Sequence, residues 1–127
     1  LIVEDDRTSS LVLQHYLNSL GEVFTAENGL QAVEIFKEAL EKGLYFDLIC
    51  MDVMMPEMDG HAALDLIRAM EEKKSLPQKK RVKVIMTTAL GDCENVMKAA
   101  KSHCSAYLLK PIKRQALMEK LHSIGLC

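Results

Sequence analysis

Residues 46–52 read Phe46-Asp47-Leu48-Ile49-Cys50-Met51-Asp52, a largely apolar run that ends in a carboxylate. Such a run is typical of a strand that is buried on both faces of a parallel sheet. Open parallel sheets bind their ligands at the carboxyl ends of the strands. We therefore expect Asp52 to be presented at a binding edge rather than hidden in the core.

Similar apolar runs recur along the chain and alternate with stretches of helical periodicity. Parallel strands need long crossovers, and right-handed crossovers place helices on both faces of the sheet. The pattern therefore predicts an α/β fold of five βα units. The predicted strands are 1–3, 23–26, 46–51, 82–87 and 105–109, and the helices follow them, the fourth starting at Gly91-Asp92 and the fifth near Lys113.

Capping residues predict where individual helices begin. Thr8, Ser9 or Ser10 is expected to cap the first helix, and Asn28-Gly29 reads as a turn before the second. Asp59 is expected to cap the third helix. The apolar face of that third helix is predicted to be Ala63, Leu66, Ile67 and Met70.

Composition excludes several classes of protein. The chain has 127 residues, a net charge of -2 and 49% apolar residues, which fits one globular domain over residues 1–127. The charge gives no bulk attraction to nucleic acid or to acidic membranes, so we expect no direct nucleic-acid or membrane binding. No apolar run reaches the roughly 20 residues of a membrane span, and we expect a cytoplasmic protein. The chain begins on a strand and not with Met, so we expect it to be a fragment of a longer natural chain. A stand-alone domain is the alternative.

The remaining unusual residue types suggest no separate active site. The four histidines share no motif, and the four cysteines show neither metal nor redox spacing. The basic segment Lys79-Lys80-Arg81 lacks interleaved aromatic residues, so it is interpreted as a solvated loop.

Polar and charged residues stand at the ends of four of the predicted strands. They are Glu4-Asp5-Asp6, Asp52, Thr87-Thr88 and Lys110. Clustered carboxylates favour a hard cation such as Mg²⁺, while a lysine and a hydroxyl suit phosphoryl oxygens. A carboxylate nucleophile beside Mg²⁺ can form an aspartyl phosphate, and Asp52 is the candidate. Asp6 is as well explained as part of a solvated charge run.

Four motifs at strand ends resemble those of bacterial two-component response regulator receiver domains. They are Ile2-Val3-Glu4-Asp5-Asp6, residues 52–60 (Asp-Val-Met-Met-Pro-Glu-Met-Asp-Gly), Thr88-Ala89 and Lys110-Pro111. The resemblance covers essentially the whole chain. It implies a single flavodoxin-like (βα)5 domain with a five-stranded parallel sheet in the order 2-1-3-4-5.

The resemblance also implies a role for each matching residue. Asp52 is similar to the phosphoacceptor, and Glu4 and Asp5 to the acidic pair that holds Mg²⁺, with Asp5 and Asp52 as ligands. Mn²⁺ is a possible substitute for the magnesium ion. The third protein ligand of the family is a backbone carbonyl that falls on Met54.

The switch residues of the family fall near the ends of the fourth and fifth strands. Thr88 matches the switch hydroxyl and Ala89 the small residue after it. Lys110 matches the phosphate-binding lysine, and the Lys110–Pro111 bond is expected to be cis. Tyr107 falls on the aromatic switch position.

Receiver resemblance implies a regulatory phosphoacceptor rather than an enzyme that turns over a substrate. The expected donor is a sensor histidine kinase or a histidine phosphotransfer protein. Phosphorylation is expected to repack the surface formed by the fourth helix, fifth strand and fifth helix. That surface would meet an effector domain, a target protein or a second copy in a phosphorylation-linked homodimer.

Two apolar residues suggest a slow return to the unphosphorylated state. In the family, the side chains two residues after the phosphoacceptor and two after the switch threonine flank the hydrolytic water. Here they are Met54 and Leu90, neither of which can orient a water by hydrogen bonding. We hypothesise that the phosphorylated state is long-lived.

Two other functions compete with the phosphoacceptor. A pseudo-receiver would keep the fold as a binding module without accepting phosphate. A haloacid-dehalogenase-type phosphatase would need a second Asp where this chain has Met54.

Overall fold

The computed structural model describes residues 1–55, 57–89 and 105–126. It contains one five-stranded parallel sheet in the order β2-β1-β3-β4-β5, which confirms the expected architecture. The strands are β1 (Ile2–Val3), β2 (Thr25–Ala26), β3 (Leu48–Asp52), β4 (Lys83–Thr88) and β5 (Ala106–Leu109). The helices are α1 (Arg7–Leu17), α2 (Gly29–Glu41), α3 (Gly60–Lys73) and α4 (Arg114–Ser123), with a 3₁₀ turn at Gln78–Lys80. The helix predicted from Gly91-Asp92 lies outside the described residues.

The sheet separates two apolar layers, because successive strand residues point to opposite faces. One layer joins Ile49, Met51 and Met86 to α2 and α3. The other joins Cys50 and Ile85 to α1 and α4. Burial raises the pKa of the Cys50 thiol to about 12, so this cysteine is a packing residue.

Helix α1 begins earlier than the sequence predicted. Asp6 is its N-cap, and Asp6 Oδ2 accepts hydrogen bonds from Ser9 N at 3.1 Å and from Ser9 Oγ at 2.6 Å. The expected caps Thr8, Ser9 and Ser10 are therefore wrong, since all three lie within the helix. The acidic run conceals the cap, because Asp6 looks like one more strand-end carboxylate. Its bonds to Ser9 lower the pKa of the Asp6 carboxyl.

Helix α3 begins as predicted but presents a different face to the core. Asp59 Oδ1 accepts from Ala62 N at 2.8 Å, which confirms the cap. The prediction of Leu66 in the apolar face is wrong, because Leu66 is 43% exposed while Leu64 is 1% exposed. Successive helical residues are about 100° apart around the helix axis, so Leu64 and Leu66 lie on opposite sides of Ile67. The apolar face therefore extends from Ile67 toward Leu64 rather than toward Leu66.

A buried ion pair attaches the end of α3 to the start of β4. Glu71 is fully buried; its Oε1 accepts from Arg68 Nη1 at 2.7 Å and its Oε2 from Val82 N at 2.7 Å. Arg68 Nη1 also donates to Val82 O at 2.8 Å. Both backbone groups of Val82 are therefore satisfied by α3 side chains. This attachment fixes where β4 enters the sheet.

Among the described residues, no helix is long and apolar enough to cross a membrane.

Candidate functional site

Asp52 is the last residue of β3 and is 6% exposed. Its Oδ2 accepts a hydrogen bond from Lys110 Nζ at 2.9 Å, and its Oδ1 accepts from Met54 N at 3.2 Å. The backbone beneath it is fixed on one side by Val53 N donating to Thr87 O at 3.0 Å. The carboxylate is therefore held at the carboxyl edge of the sheet with both oxygens oriented.

Two further carboxylates lie beside Asp52, at the end of β1. Glu4 N donates to Ala26 O at 3.0 Å, which continues the sheet beyond β1 and directs a 3% exposed Glu4 into the site. Asp5 is exposed. One oxygen from each of Glu4, Asp5 and Asp52 lies within 4.8 Å of the others. Asp6 is committed to capping α1 and is not part of this cluster.

Lys110, directly after β5, joins two of the acids. Its Nζ lies 2.5 Å from Glu4 Oε1 and 2.9 Å from Asp52 Oδ2. Burial opposes the charge of the Lys110 ammonium, but the Glu4 and Asp52 carboxylates outweigh burial and raise the pKa of Lys110. Lys110 N donates to Thr88 O at 2.8 Å, and the Lys110–Pro111 peptide bond is cis.

Glu4 shows that the negative charge of the cluster is only partly offset. Burial, followed by the neighbouring Asp52 carboxyl, raises the pKa of Glu4 to about 7, and the opposing effect of Lys110 is smaller. Glu4 Oε1 is buried, and among the described residues its partner is the Lys110 ammonium. Such an oxygen has lone pairs available for a cation.

The donor set of this cluster fits a magnesium ion. All three side chains offer carboxylate oxygens, which are the ligands that Mg²⁺ prefers. Asp5 is exposed, so an ion there could keep several waters. A cation would also relieve the repulsion that raises the pKa of Glu4.

The residues matched to the family's switch lie within or directly after β4 and β5. Thr88 is 1% exposed, and its Oγ1 donates to Ala89 O at 3.3 Å rather than to a site carboxylate. Tyr107 is half-buried and packs against the core layer that contains Met86. The Met54 side chain is 60% exposed, and its amide, as described above, contacts Asp52. Leu90 lies outside the described residues.

Gly60 is a site residue whose role the sequence did not reveal. A Cβ at this position would lie 2.5 Å from the Asp52 carbonyl oxygen and 2.8 Å from Met86 Cε. Gly60 N also donates to Val53 O at 2.8 Å. The absence of a side chain therefore lets the first turn of α3 pack directly on the backbone that carries Asp52. A glycine immediately after the Asp59 cap was the available signal.

Relatives of known sequence match nearly the whole length of this chain. The chain is 36% identical to the chemotaxis protein CheY of Treponema pallidum over 126 residues, which cover 98% of this chain and 80% of that protein. It is 31% identical to the probable histidine kinase 2 of Oryza sativa subsp. indica, covering 98% of this chain. The chain spans only 12% of the length of that kinase.

Solved structures agree in fold. A receiver domain of a sensor histidine kinase from Pseudomonas aeruginosa, with a magnesium ion coordinated in its active site cleft, is 30% identical with a TM-score of 0.75. The match covers 98% of this chain and 94% of that one. The Saccharomyces cerevisiae complex of the phosphotransfer protein Ypd1 with the receiver domain of Ssk1 matches at 31% identity and a TM-score of 0.78, covering 98% and 86% of the two chains.

A model of the response regulator receiver domain family matches residues 1–122. Receiver domains are regulatory domains of two-component signalling. The fold, the acidic cluster at the strand ends and this match agree, and the chain belongs to the response regulator receiver domain family.

Proposed function

We propose that Asp52 accepts a phosphoryl group from a phosphohistidine of a sensor histidine kinase or a histidine phosphotransfer protein. The observation that carries this proposal is that one ammonium, Lys110 Nζ, contacts both Asp52 and Glu4 at the strand edge, with Asp5 beside them. A half-buried cation next to a candidate nucleophile can offset charge on a transferring phosphoryl group.

The transfer is a displacement at phosphorus. A carboxylate oxygen of Asp52 bonds to phosphorus while the phosphorus–nitrogen bond to the donor histidine breaks. The electron pair of that bond stays on the ring nitrogen, which takes up a proton. The product is a mixed anhydride, the aspartyl phosphate.

Each residue of the site has a separate task in this transfer. The amide of Met54 orients Asp52 Oδ1, and Lys110 orients Oδ2. Lys110 would then contact the oxygens of the incoming phosphoryl group. Glu4, Asp5 and Asp52, with the backbone carbonyl of Met54, would hold Mg²⁺ or Mn²⁺. When bound, the metal would neutralise charge on the phosphoryl oxygens.

The proposed product is a signalling state that other molecules read. The added charge and acceptor oxygens would draw the Thr88 hydroxyl away from Ala89 O, with Ala89 leaving room for the movement. Lys110 N already bonds Thr88 O, which couples the ends of β4 and β5. Repacking of Tyr107 would then alter the surface formed by the predicted fourth helix, which lies outside the described residues, together with β5 and α4. An effector domain, a target protein or a second copy would bind there.

The decisive experiment is labelling by acetyl phosphate with and without Mg²⁺, read as the mass of the intact protein. We expect one added phosphoryl group, loss of the label in Asp52→Asn, and retention of it in Asp65→Asn, an exposed acid on α3. Hydroxylamine should remove the label, because an acyl phosphate reacts with it. Equal labelling of Asp52→Asn would refute the assignment of the nucleophile.

Absence of any label on the wild type would favour a pseudo-receiver instead. Turnover of a phosphate ester would favour a phosphatase, although Met54 stands where that mechanism requires a second acid.

A further inference from the structure

A cavity of about 230 Å³ lies at the opposite edge of the sheet from Asp52. It lies at the amino ends of β3 and β4, and the strand length of β3 places it about 13 Å from the phosphoacceptor. The residues around it come from the segments before those two strands, from the first residue of β4 and from the segment after α4. They are Tyr45, Phe46, Asp47, Lys79, Lys80, Arg81, Lys83 and Leu126.

The cavity concentrates positive charge on a protein whose net charge is -2. Four of its eight lining residues are cationic and only Asp47 is acidic. Among the described residues, Lys79, Lys80 and Lys83 form no ion pair. With four cations and one carboxylate in its described lining, this concave surface carries a net positive charge and attracts an anionic ligand.

Arg81 is already committed to the protein itself. Its Nη1 lies 3.1 Å from Glu72 Oε2, and its Nε donates to Leu76 O at 3.0 Å. The guanidinium fork that recognises phosphate in two-point contacts is therefore occupied, and the free cations are lysines, which act as point charges. Point charges of this kind accept either a carboxylate or a phosphate group, so the surface beside the lysines decides the class of ligand.

An apolar surface adjoins the lysines. Tyr45 is 45% exposed and Leu44 is 61% exposed, and Lys80 Nζ lies 5.4 Å from the centre of the Tyr45 ring. Phe24, 46% exposed, packs edge-on against Phe46 at 5.7 Å between ring centres. The cavity is smaller than the roughly 300–1,000 Å³ of most small-molecule sites, which suits inserted side chains better than a free cofactor.

We propose that this cavity is a docking site for an acidic segment of a partner protein, with a carboxylate among Lys79, Lys80 and Lys83 and an apolar side chain on Tyr45 and Leu44. The complementary charge of the lysines selects the segment. Because the site lies a full strand length from Asp52, docking is independent of the phosphoacceptor. The lysine segment is thus a binding surface rather than the solvated loop that the sequence indicated.

The test is a titration of ¹⁵N-labelled protein with the synthetic peptide acetyl-Glu-Glu-Leu-Phe-Glu-Glu-amide, followed by amide chemical shifts. We expect the largest shifts within residues 44–47 and 79–83. Lys79→Gln/Lys83→Gln should bind about fivefold more weakly, since each exposed ion pair contributes a modest amount. The matched control Lys37→Gln/Lys42→Gln removes two exposed lysines of the α2 region and should bind as the wild type does.

Additional measurements distinguish acidic-peptide binding from non-specific binding and from phosphate binding. Binding should weaken when ionic strength is raised to about 0.3 M, because exposed charges are screened at that concentration. Asp52→Asn should bind the peptide unchanged, so failure of phosphorylation does not affect this test. The proposal is overturned if the peptide does not bind, if a Lys-for-Glu peptide binds equally, or if Lys79→Gln/Lys83→Gln binds undiminished. Inorganic phosphate that displaces the peptide at matched ionic strength would assign the cavity to phosphate and also overturn it.

Discussion

The raised pKa of Glu4 predicts that magnesium affinity depends steeply on pH near neutrality. Glu4 must lose its proton before it can bind a cation, and with a pKa of about 7 it is ionised in about one tenth of molecules at pH 6 and about nine tenths at pH 8. The apparent affinity for Mg²⁺ is proportional to the fraction of molecules in which Glu4 is ionised. It should therefore be about tenfold weaker at pH 6 than at pH 8.

The assay is a Mg²⁺ titration monitored by the amide signals of Asp52 and Met54 at several pH values. Glu4→Gln is the control, because it cannot ionise and should bind Mg²⁺ weakly with little pH dependence over this range. Equal affinity of the wild type at pH 6 and pH 8 would show that Glu4 is already ionised at pH 6 and would refute the reasoning.

The free energy of unfolding of the metal-free protein should fall as pH rises, whereas the affinity for Mg²⁺ should rise. A carboxyl whose pKa is raised on folding binds more protons in the folded chain than in the unfolded chain between its ordinary pKa of 4.5 and about 7. The free energy of unfolding should therefore fall as pH rises through that window, and saturating Mg²⁺ should restore it above pH 7. Urea unfolding at pH 5.5 and 7.5, with and without Mg²⁺, measures both effects.

Three further substitutions test other contacts. Glu71→Ala should lower the free energy of unfolding by about 3–5 kcal/mol in urea denaturation, because it leaves buried partners unpaired. The control Glu72→Gln changes an exposed residue and should cost less than about 1 kcal/mol. Equal losses would contradict the buried-pair account. Gly60→Ala should lower the free energy of unfolding by about 1–3 kcal/mol and slow acetyl phosphate labelling, because the added Cβ collides with the Asp52 backbone. An unaffected labelling rate would show that the backbone shifts without moving the Asp52 carboxylate. Met54→Asn should speed loss of the phosphoryl label at least about threefold by orienting water, and an unchanged half-life would reject a water-excluding role.

The sequence predicted the architecture because the apolar runs and helical periods of this chain alternate without ambiguity. It also placed Glu4, Asp52 and Lys110 together, since the carboxyl ends of parallel strands share one edge. Short elements were harder: β2 has only two residues, and the predicted Phe24 lies outside it. Two residues of strand give too little alternation to locate its ends.

Details that depend on tertiary contacts could not be predicted. Leu64 and Leu66 are chemically equivalent, and only the packing against the sheet decides which one is buried. Nothing local distinguishes Glu71 from Glu72, although one is buried and the other is exposed. The surroundings of Lys79 depend on Tyr45 and Leu126, which are far away in the sequence.

The two ends of β3 carry opposite charge: a cluster of acids at the carboxyl end and a group of lysines at the amino end. Over the described residues the domain is therefore electrically polar along β3, although the total charge of the chain is small. In the field of a charged partner such a molecule rotates before contact, so a cationic surface meets the phosphoacceptor end and an anionic surface meets the other. Two partners of opposite charge could approach the domain at the same time without competing for orientation, and added salt would slow both encounters.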